Sequence, residues 1–182
     1  MRFNLPFWRN ASPRRKRIYS ILLVFLVAVL ALLIGTLTTL SHSQAQYISD
    51  TLNQTLNANR ANNTLIQHIF LNNFIICLLM FIPLVGAGLG LYILYNTGVA
   101  LNALASIQGY PVYLGILNLV ATPIFWIEFA AYAIAMAESV WLFRRLLQGR
   151  WGELKWTAIS IGVCALLLIV GAVVETWLIT VG

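Results

Sequence analysis

Three glutamates lie in apolar stretches of the chain, where an acidic side chain carries an energetic cost. They are Glu128, Glu138 and Glu175. A carboxylate at the centre of a lipid bilayer costs roughly 3 kcal/mol or more, so such groups usually make structural contacts or carry protons or cations. These acids are therefore the first candidates for chemistry in this sequence.

Position along the helix separates the three acids. Glu138 precedes Arg145 by two helical turns, a spacing that allows an ion pair near one end of the helix, and we predict that this acid is structural. Glu128 and Glu175 lie about 24 Å and about 30 Å along their helices from the nearest basic residues. We expect these two at similar depth near the opposite end, on separate helices.

Two asparagines, Asn72 and Asn73, are expected at the same depth as Glu128 and Glu175. No basic residue in the apolar stretches can neutralise these acids. Their expected partners are amides, backbone donors, water or a proton, which a desolvated carboxyl group tends to hold. Three interpretations stay open: a hydrogen-bonded polar knot that holds irregular helices together, a proton or cation pathway, and a contact with a partner subunit.

Sequence patterns of catalysis and metal binding are absent. The sequence has no G-x-x-x-x-G-K-[ST] phosphate loop and no G-x-S-x-G nucleophile motif, and its two histidines are too few for a usual haem or metal centre. Cys77 and Cys164 lie in apolar runs and are expected to be packed side chains. We therefore predict no enzyme activity, no catalytic residue, no cofactor and no metal ion.

Composition indicates a membrane protein. Hydrophobic residues make up 60% of the 182 residues and charged residues only 9%, which excludes an ordinary soluble domain and predicts an all-α integral protein of the cell membrane. The net charge of +6 comes mostly from clusters beside apolar runs. Because these clusters stand at the ends of predicted spans, where basic residues set orientation and contact anionic head groups, the expected partners are membrane lipids and not nucleic acid.

The N-terminal third contains one apolar run between two polar segments. Residues 1–17 are predicted to be a basic cytoplasmic tail, and the uncharged residues 18–40 a first transmembrane helix. Residues 41–64 are polar and are predicted to be an extracellular loop. N-glycosylation sequons begin at Asn53 and Asn62, which suits a loop on the outside.

Residues 65–182 are predicted to be a four-span core, which gives about five transmembrane helices in all. Because the loop 41–64 is predicted to be outside, an odd number of crossings between residues 65 and 143 returns the chain to the inside and places both basic clusters there. The N-terminus is therefore predicted to be cytoplasmic and the C-terminus outside. Asn96 and Gly98 are predicted to turn the chain at the inner face. The four predicted core spans are 67–95, 99–120, 122–143 and 156–181.

The second and third spans are predicted to be bent or broken. Pro83 and Pro111 remove backbone donors, and lipid cannot replace the lost hydrogen bonds. Gly86 and Gly90 form a G-x-x-x-G motif, which predicts a close-packing face for another helix.

Several short segments of the core follow a recognisable pattern. They are FLNNF at 70–74, GAGLG at 86–90, YNTG at 95–98, FWIEFAAYAIA at 125–135 and LLLIVGAVVETWLITVG at 166–182. Over about residues 69–182 this pattern resembles the stage II sporulation protein M family of integral membrane proteins. The family's histidine-glycine before the acidic segment is replaced here around Thr122-Pro123. The resemblance implies a multi-span, non-enzymatic scaffold that binds other membrane subunits or forms a homo-oligomer.

Two functions follow from these observations. The first hypothesis is a scaffold or accessory subunit of a larger membrane complex. The alternative is a permease-like transport component that uses Glu128 and Glu175, because discontinuous helices often line transport sites. A cavity that reaches both acids would favour transport, whereas a dry polar knot and a partner on the Gly86 and Gly90 face would favour the scaffold.

Overall fold

The computed structural model describes residues 12–62 and 64–181, so residues 1–11 of the predicted tail lie outside the described part. Within it the fold is helical throughout. A 3-10 turn, Trp151–Glu153, connects the last two helices. The helices are α1 (Pro13–Thr36), α2 (His42–Ala61), α3 (Leu65–Met80), α4 (Val85–Gln108), α5 (Val112–Ala121), α6 (Pro123–Leu147) and α7 (Leu154–Val181).

Four of these helices, α1, α4, α6 and α7, are long and apolar enough to cross a membrane, which is the pattern of a multi-pass membrane protein. Five were predicted, but α3 has only 16 residues and α5 only 10. We call one end of the bundle the basic end, because five cationic residues line a cavity there. The opposite end, where α2 lies and α7 finishes, is the far end.

Helices α1 and α4 touch backbone to backbone near the far end. A side chain added at Gly98 would overlap the carbonyl oxygen of Leu32 and lie 3.0 Å from the Cα of Gly35. A side chain added at Gly35 would in turn lie 2.9 Å from the carbonyl carbon of Tyr95. The two glycines therefore permit a helix crossing that any larger residue would push apart.

The predicted inner turn at Asn96 and Gly98 is wrong, because α4 runs through both residues without a break. The polar side chains there are satisfied by the helix itself. Asn96 donates to the carbonyl oxygen of Tyr92 at 2.8 Å, and Thr97 donates to that of Ile93 at 3.1 Å. An Asn-Thr-Gly segment that resembles a turn in sequence is thus a helical stretch adapted for close packing.

The actual reversal of the chain lies between α3 and α4, at residues 81–84. Pro83 lies in this turn, and Leu84 has a left-handed backbone with φ of 68°. Ser139 of α6 holds the turn by donating to the carbonyl oxygen of Ile82 at 2.6 Å. The stretch 67–95, predicted as one span, is therefore divided between two helices.

The two glycines of the predicted packing motif lie just after this turn and are buried. A side chain at Gly86 would lie 2.6 Å from the carbonyl carbon of Met80, so this glycine permits the tight turn. A side chain at Gly90 would lie 2.8 Å from Cγ of Met136 on α6. Residues of this same chain therefore occupy the space next to both glycines.

The stretch 99–120 is also divided, because α4 ends at Gln108 and α5 begins at Val112. Gly109 has a left-handed backbone with φ of 73°, and Pro111 precedes the first residue of α5. Glycine adopts this conformation without steric cost, and proline has no donor to lose at a helix start.

The polar segment 41–64 was predicted to be a loop, but most of it is helix α2. Its first turn is closed by a capping box, in which Ser41 and Gln44 each satisfy a backbone donor of the other. The buried face of α2, which includes Ala45, packs on α4. At its other end Arg60 donates to the carbonyl oxygen of Ile179 at 2.9 Å, so α2 crosses the far end towards α7.

The middle of the bundle is filled by apolar side chains with almost no exposed surface. We call this set the apolar layer. It contains two cysteines, which are free and buried, so the expectation of packed side chains is met. The apolar layer is formed by Cys77, Met80, Met136, Cys164 and Leu168.

Candidate functional site: a polar cavity at the far end

A cavity of about 580 Å³ lies at the far end, between α2 and the ends of four other helices. Glu128 of α6 and Glu175 of α7 both line it, together with Asn72 and Asn73 of α3. His68 and Gln108 add further polar groups. With Asn53 of α2, the cavity therefore gathers two carboxyl groups and four carboxamides in one place.

Glu128 is held in position by local structure on both sides. Thr122 caps the start of α6, because its hydroxyl accepts a hydrogen bond from the backbone N–H of Phe125. Glu128 is therefore in the second turn of this helix. Asn73 donates a hydrogen bond from Nδ2 to Oε1 of Glu128. Gly171 of α7 lies beside this acid, and a side chain added there would be in ordinary contact with Cγ of Glu128 at 3.8 Å.

Neither cavity acid has a cationic partner in the described part of the chain. The ion pair seen there joins Arg145 to Glu138, at the other end of α6. When the carboxyl groups ionise, the cavity carries two uncompensated negative charges in partly buried surroundings. Buried charges need a counter-charge or a proton, so this cavity suits a positively charged group.

Glu138 has a different environment, as its position in the sequence predicts. Its Oε1 lies 2.8 Å from Nη1 of Arg145 and accepts a hydrogen bond from Thr157 of α7 at 3.1 Å. Both charged side chains are about 6% exposed. The predicted structural pairing of Glu138 with Arg145 is confirmed, and this acid takes no part in the far-end cavity.

The apolar layer closes the cavity towards the basic end. Tyr132, one helical turn beyond Glu128, is 5% exposed, and Met136 one turn further on is fully buried. Cys164 and Leu168 of α7 face the same region and are also buried. In the described residues, packed apolar side chains thus lie between this cavity and the basic end.

The structure brings four of the predicted site residues together, namely Asn72, Asn73, Glu128 and Glu175. The glycines and Asn96 lie elsewhere, in helix contacts or on the exposed side of α4. Of the two sequon asparagines, Asn53 lies on the cavity wall and Asn62 caps the end of α2.

Sequence reasoning missed the wall that α2 contributes. Leu52, Asn53 and Leu56 line the cavity, and so do Leu104 and Gln108 near the end of α4. A signal was present, because Ala45, Ser49, Leu52 and Leu56 recur at helical spacing along the polar segment.

No group of three or more histidine, cysteine or acidic residues in the described part of the chain could hold a metal ion. Comparisons of the chain with protein-family models, with curated proteins and with solved structures find no match. The functional argument therefore rests on the geometry of the bundle.

Proposed function

We propose that this protein is a non-enzymatic, multi-pass membrane scaffold or accessory subunit that accepts a basic side chain of a partner protein in its far-end cavity. One observation carries the proposal. The cavity lies at the far end, holds two carboxyl groups without a described cation, and is separated from the basic end by the apolar layer. This arrangement suits recognition of a positive charge without passage through the bundle.

The chemistry of the cavity fits a lysine or arginine side chain. An incoming cation supplies the charge that lets Glu128 and Glu175 ionise together, and charge-assisted hydrogen bonds are stronger than neutral ones. Asn72 and Gln108 offer carbonyl acceptors on the same walls. The aliphatic stem of the partner's side chain would lie against Leu52, Leu56 and Leu104.

The expected orientation follows from charge. Basic clusters favour the cytoplasmic side, so the far end would face outside. If α3 crosses together with the four long helices, the chain passes five times and finishes outside. A membrane-impermeant thiol reagent should then label Asn53→Cys on intact cells and leave Gln148→Cys, at the basic end, unlabelled. Labelling of the second variant alone would reverse this orientation.

A second candidate is a permease-like transport component. Two observations favour it, because the cavity reaches both acids and the Gly86 and Gly90 face is covered by this chain itself. The apolar layer between the cavity and the basic end is the observation that favours the scaffold. For transport, the apolar layer must open during a cycle. Purified protein in liposomes would then conduct cations, and Glu128→Gln with Glu175→Gln would abolish the flux. The resemblance to the stage II sporulation protein M family agrees with the scaffold and stays a prediction.

The scaffold proposal is tested by a photo-reactive residue at Asn53 in native membranes. We expect cross-linking to one protein at near-stoichiometric yield through a segment that contains lysine or arginine. The same residue in a Glu128→Gln/Glu175→Gln background should lose this product. A photo-reactive residue at Leu147, exposed at the basic end, is the matched control. Cross-linking that the double substitution leaves unchanged would overturn the proposal.

A further inference from the structure

The basic end has a cavity of its own, of about 560 Å³. It lies where α1 and α7 begin and α6 finishes, beside the 3-10 turn. Its walls therefore come from segments that are distant in sequence. Gly152 of the turn lines it, and a side chain added at this glycine would meet nothing within 4 Å. The space beside Gly152 is therefore not filled by other described atoms of the chain. The charged residues that line the cavity are Arg14, Arg17, Arg145, Arg150 and Lys155.

The charge of this cavity stays positive after its acidic neighbours are counted. Five cationic side chains line it, and Glu138 compensates that of Arg145. In sequence, the segments that form this end hold two acids, Glu138 and Glu153, against five cationic lining residues, which leaves an excess of three positive charges. Arginine provides planar arrays of donors that match phosphate oxygens, and several in one cavity select for a phosphate group.

The position of the cavity indicates where the phosphate comes from. α1 and α7, which supply most of its walls, are both long and apolar enough to cross a membrane. Trp156 lines the cavity and is 47% exposed. The centroid of its ring lies 6.0 Å from the guanidinium carbon of Arg17. Tryptophan and clustered basic residues at helix ends mark the level of lipid headgroups.

We propose that the basic-end cavity binds the phosphate of an anionic phospholipid headgroup. The lipid's acyl chains would extend along the apolar surface of α1 and α7, whose exposed side chains include Leu22, Ile159 and Val163. Phosphate of a soluble compound has the same chemistry, so the test must distinguish the two sources. The site is independent of the far-end cavity and of the function proposed for it.

The test uses the full chain in lipid nanodiscs. Native mass spectrometry counts phospholipid retained after release from nanodiscs of phosphatidylcholine alone or mixed with phosphatidylglycerol. We expect one phosphatidylglycerol to be retained preferentially. Arg14→Gln with Lys155→Gln should weaken its retention about 10- to 30-fold, since each basic residue contributes to headgroup attraction. Both side chains are exposed, so the substitutions leave the fold intact.

Arg144→Gln is the matched control. Arg144 is at the same end but does not line the cavity, and its guanidinium carbon stands 5.5 Å from the ring of Trp141. We expect this variant to retain phosphatidylglycerol like the unaltered chain. Equal loss in the control, or no preference over phosphatidylcholine, would refute the proposed site. Stabilisation by inorganic phosphate, without lipid retention, would assign the cavity to a soluble phosphate and refute the lipid assignment.

Discussion

The close crossing of α1 and α4 predicts that substitution of Gly98 by a larger residue destabilises the fold. Substitution with alanine places a methyl group 3.0 Å from the Cα of Gly35 and in overlap with the carbonyl oxygen of Leu32. Both neighbours are backbone atoms and cannot rotate away, so the helices must separate. Overpacking of this kind typically costs about 1–3 kcal/mol of folding free energy.

Gly88→Ala on the same helix is the control, because a side chain there meets nothing within 4 Å. Alanine is favoured over glycine inside a helix by roughly 0.5–1 kcal/mol, so this variant should be slightly stabilised. Gly98→Ala gains the same helix preference, but the destabilisation from its overlap with the backbone of α1 is larger. The two alanine variants should therefore differ in the sign of their effect.

The assay is equilibrium unfolding in mixed detergent micelles, followed by far-ultraviolet circular dichroism. A Gly35→Ala/Gly98→Ala double variant should lose less than the sum of the single losses, because either methyl group already separates the helices. Equal stability of Gly98→Ala and Gly88→Ala would refute the backbone contact between α1 and α4.

Three further predictions concern single side chains. Glu138→Gln removes the carboxylate that pairs with the buried Arg145 and should lower the unfolding free energy by about 3–5 kcal/mol, measured as above. Recovery in Glu138→Leu/Arg145→Leu would confirm the cause. Ser41→Ala removes half of the capping box and should lower the stability of α2 by about 1 kcal/mol. Hydrogen exchange of the backbone amides in the first turns of α2 should then be faster. Asn73→Leu removes the hydrogen-bond donor to Glu128 and should lower the unfolding free energy by about 1–3 kcal/mol. In Asn73→Asp, a protonated carboxyl group can still donate to Glu128, so this variant should recover part of the lost stability.

The helical membrane character of this chain could be predicted from composition and from the length of its apolar runs. The depth of Glu128 and Glu175 followed from helical rise and from their distance to the basic residues. The seven-residue spacing allowed the pairing of Glu138 with Arg145, and it allowed Glu138 to reach the inner interface as well. These features are local, so they depend on one helix at a time.

The errors arise where contacts between helices decide the structure. Asn96 and Gly98 have the composition of a turn, but the contact with α1 makes this glycine a packing residue. Segment 41–64 is polar enough to resemble a loop, and its helix is stabilised by the capping box and by α4. The helical spacing of apolar residues in this segment could have predicted a buried face of α2, but not that this face forms a wall of the far-end cavity, because that depends on where α2 crosses the bundle.

The most direct test of the central claim is the charge selectivity of the far-end cavity. Asn72→Cys, on the cavity wall, is treated in alkaline buffer with membrane-impermeant thiosulfonates of opposite charge, while the native Cys77 and Cys164 are fully buried. We predict that the cationic reagent reacts at least about tenfold faster, from the far side, and that Glu128→Gln/Glu175→Gln removes this preference. Equal rates with both acids present, or reaction from the basic end, would contradict the account.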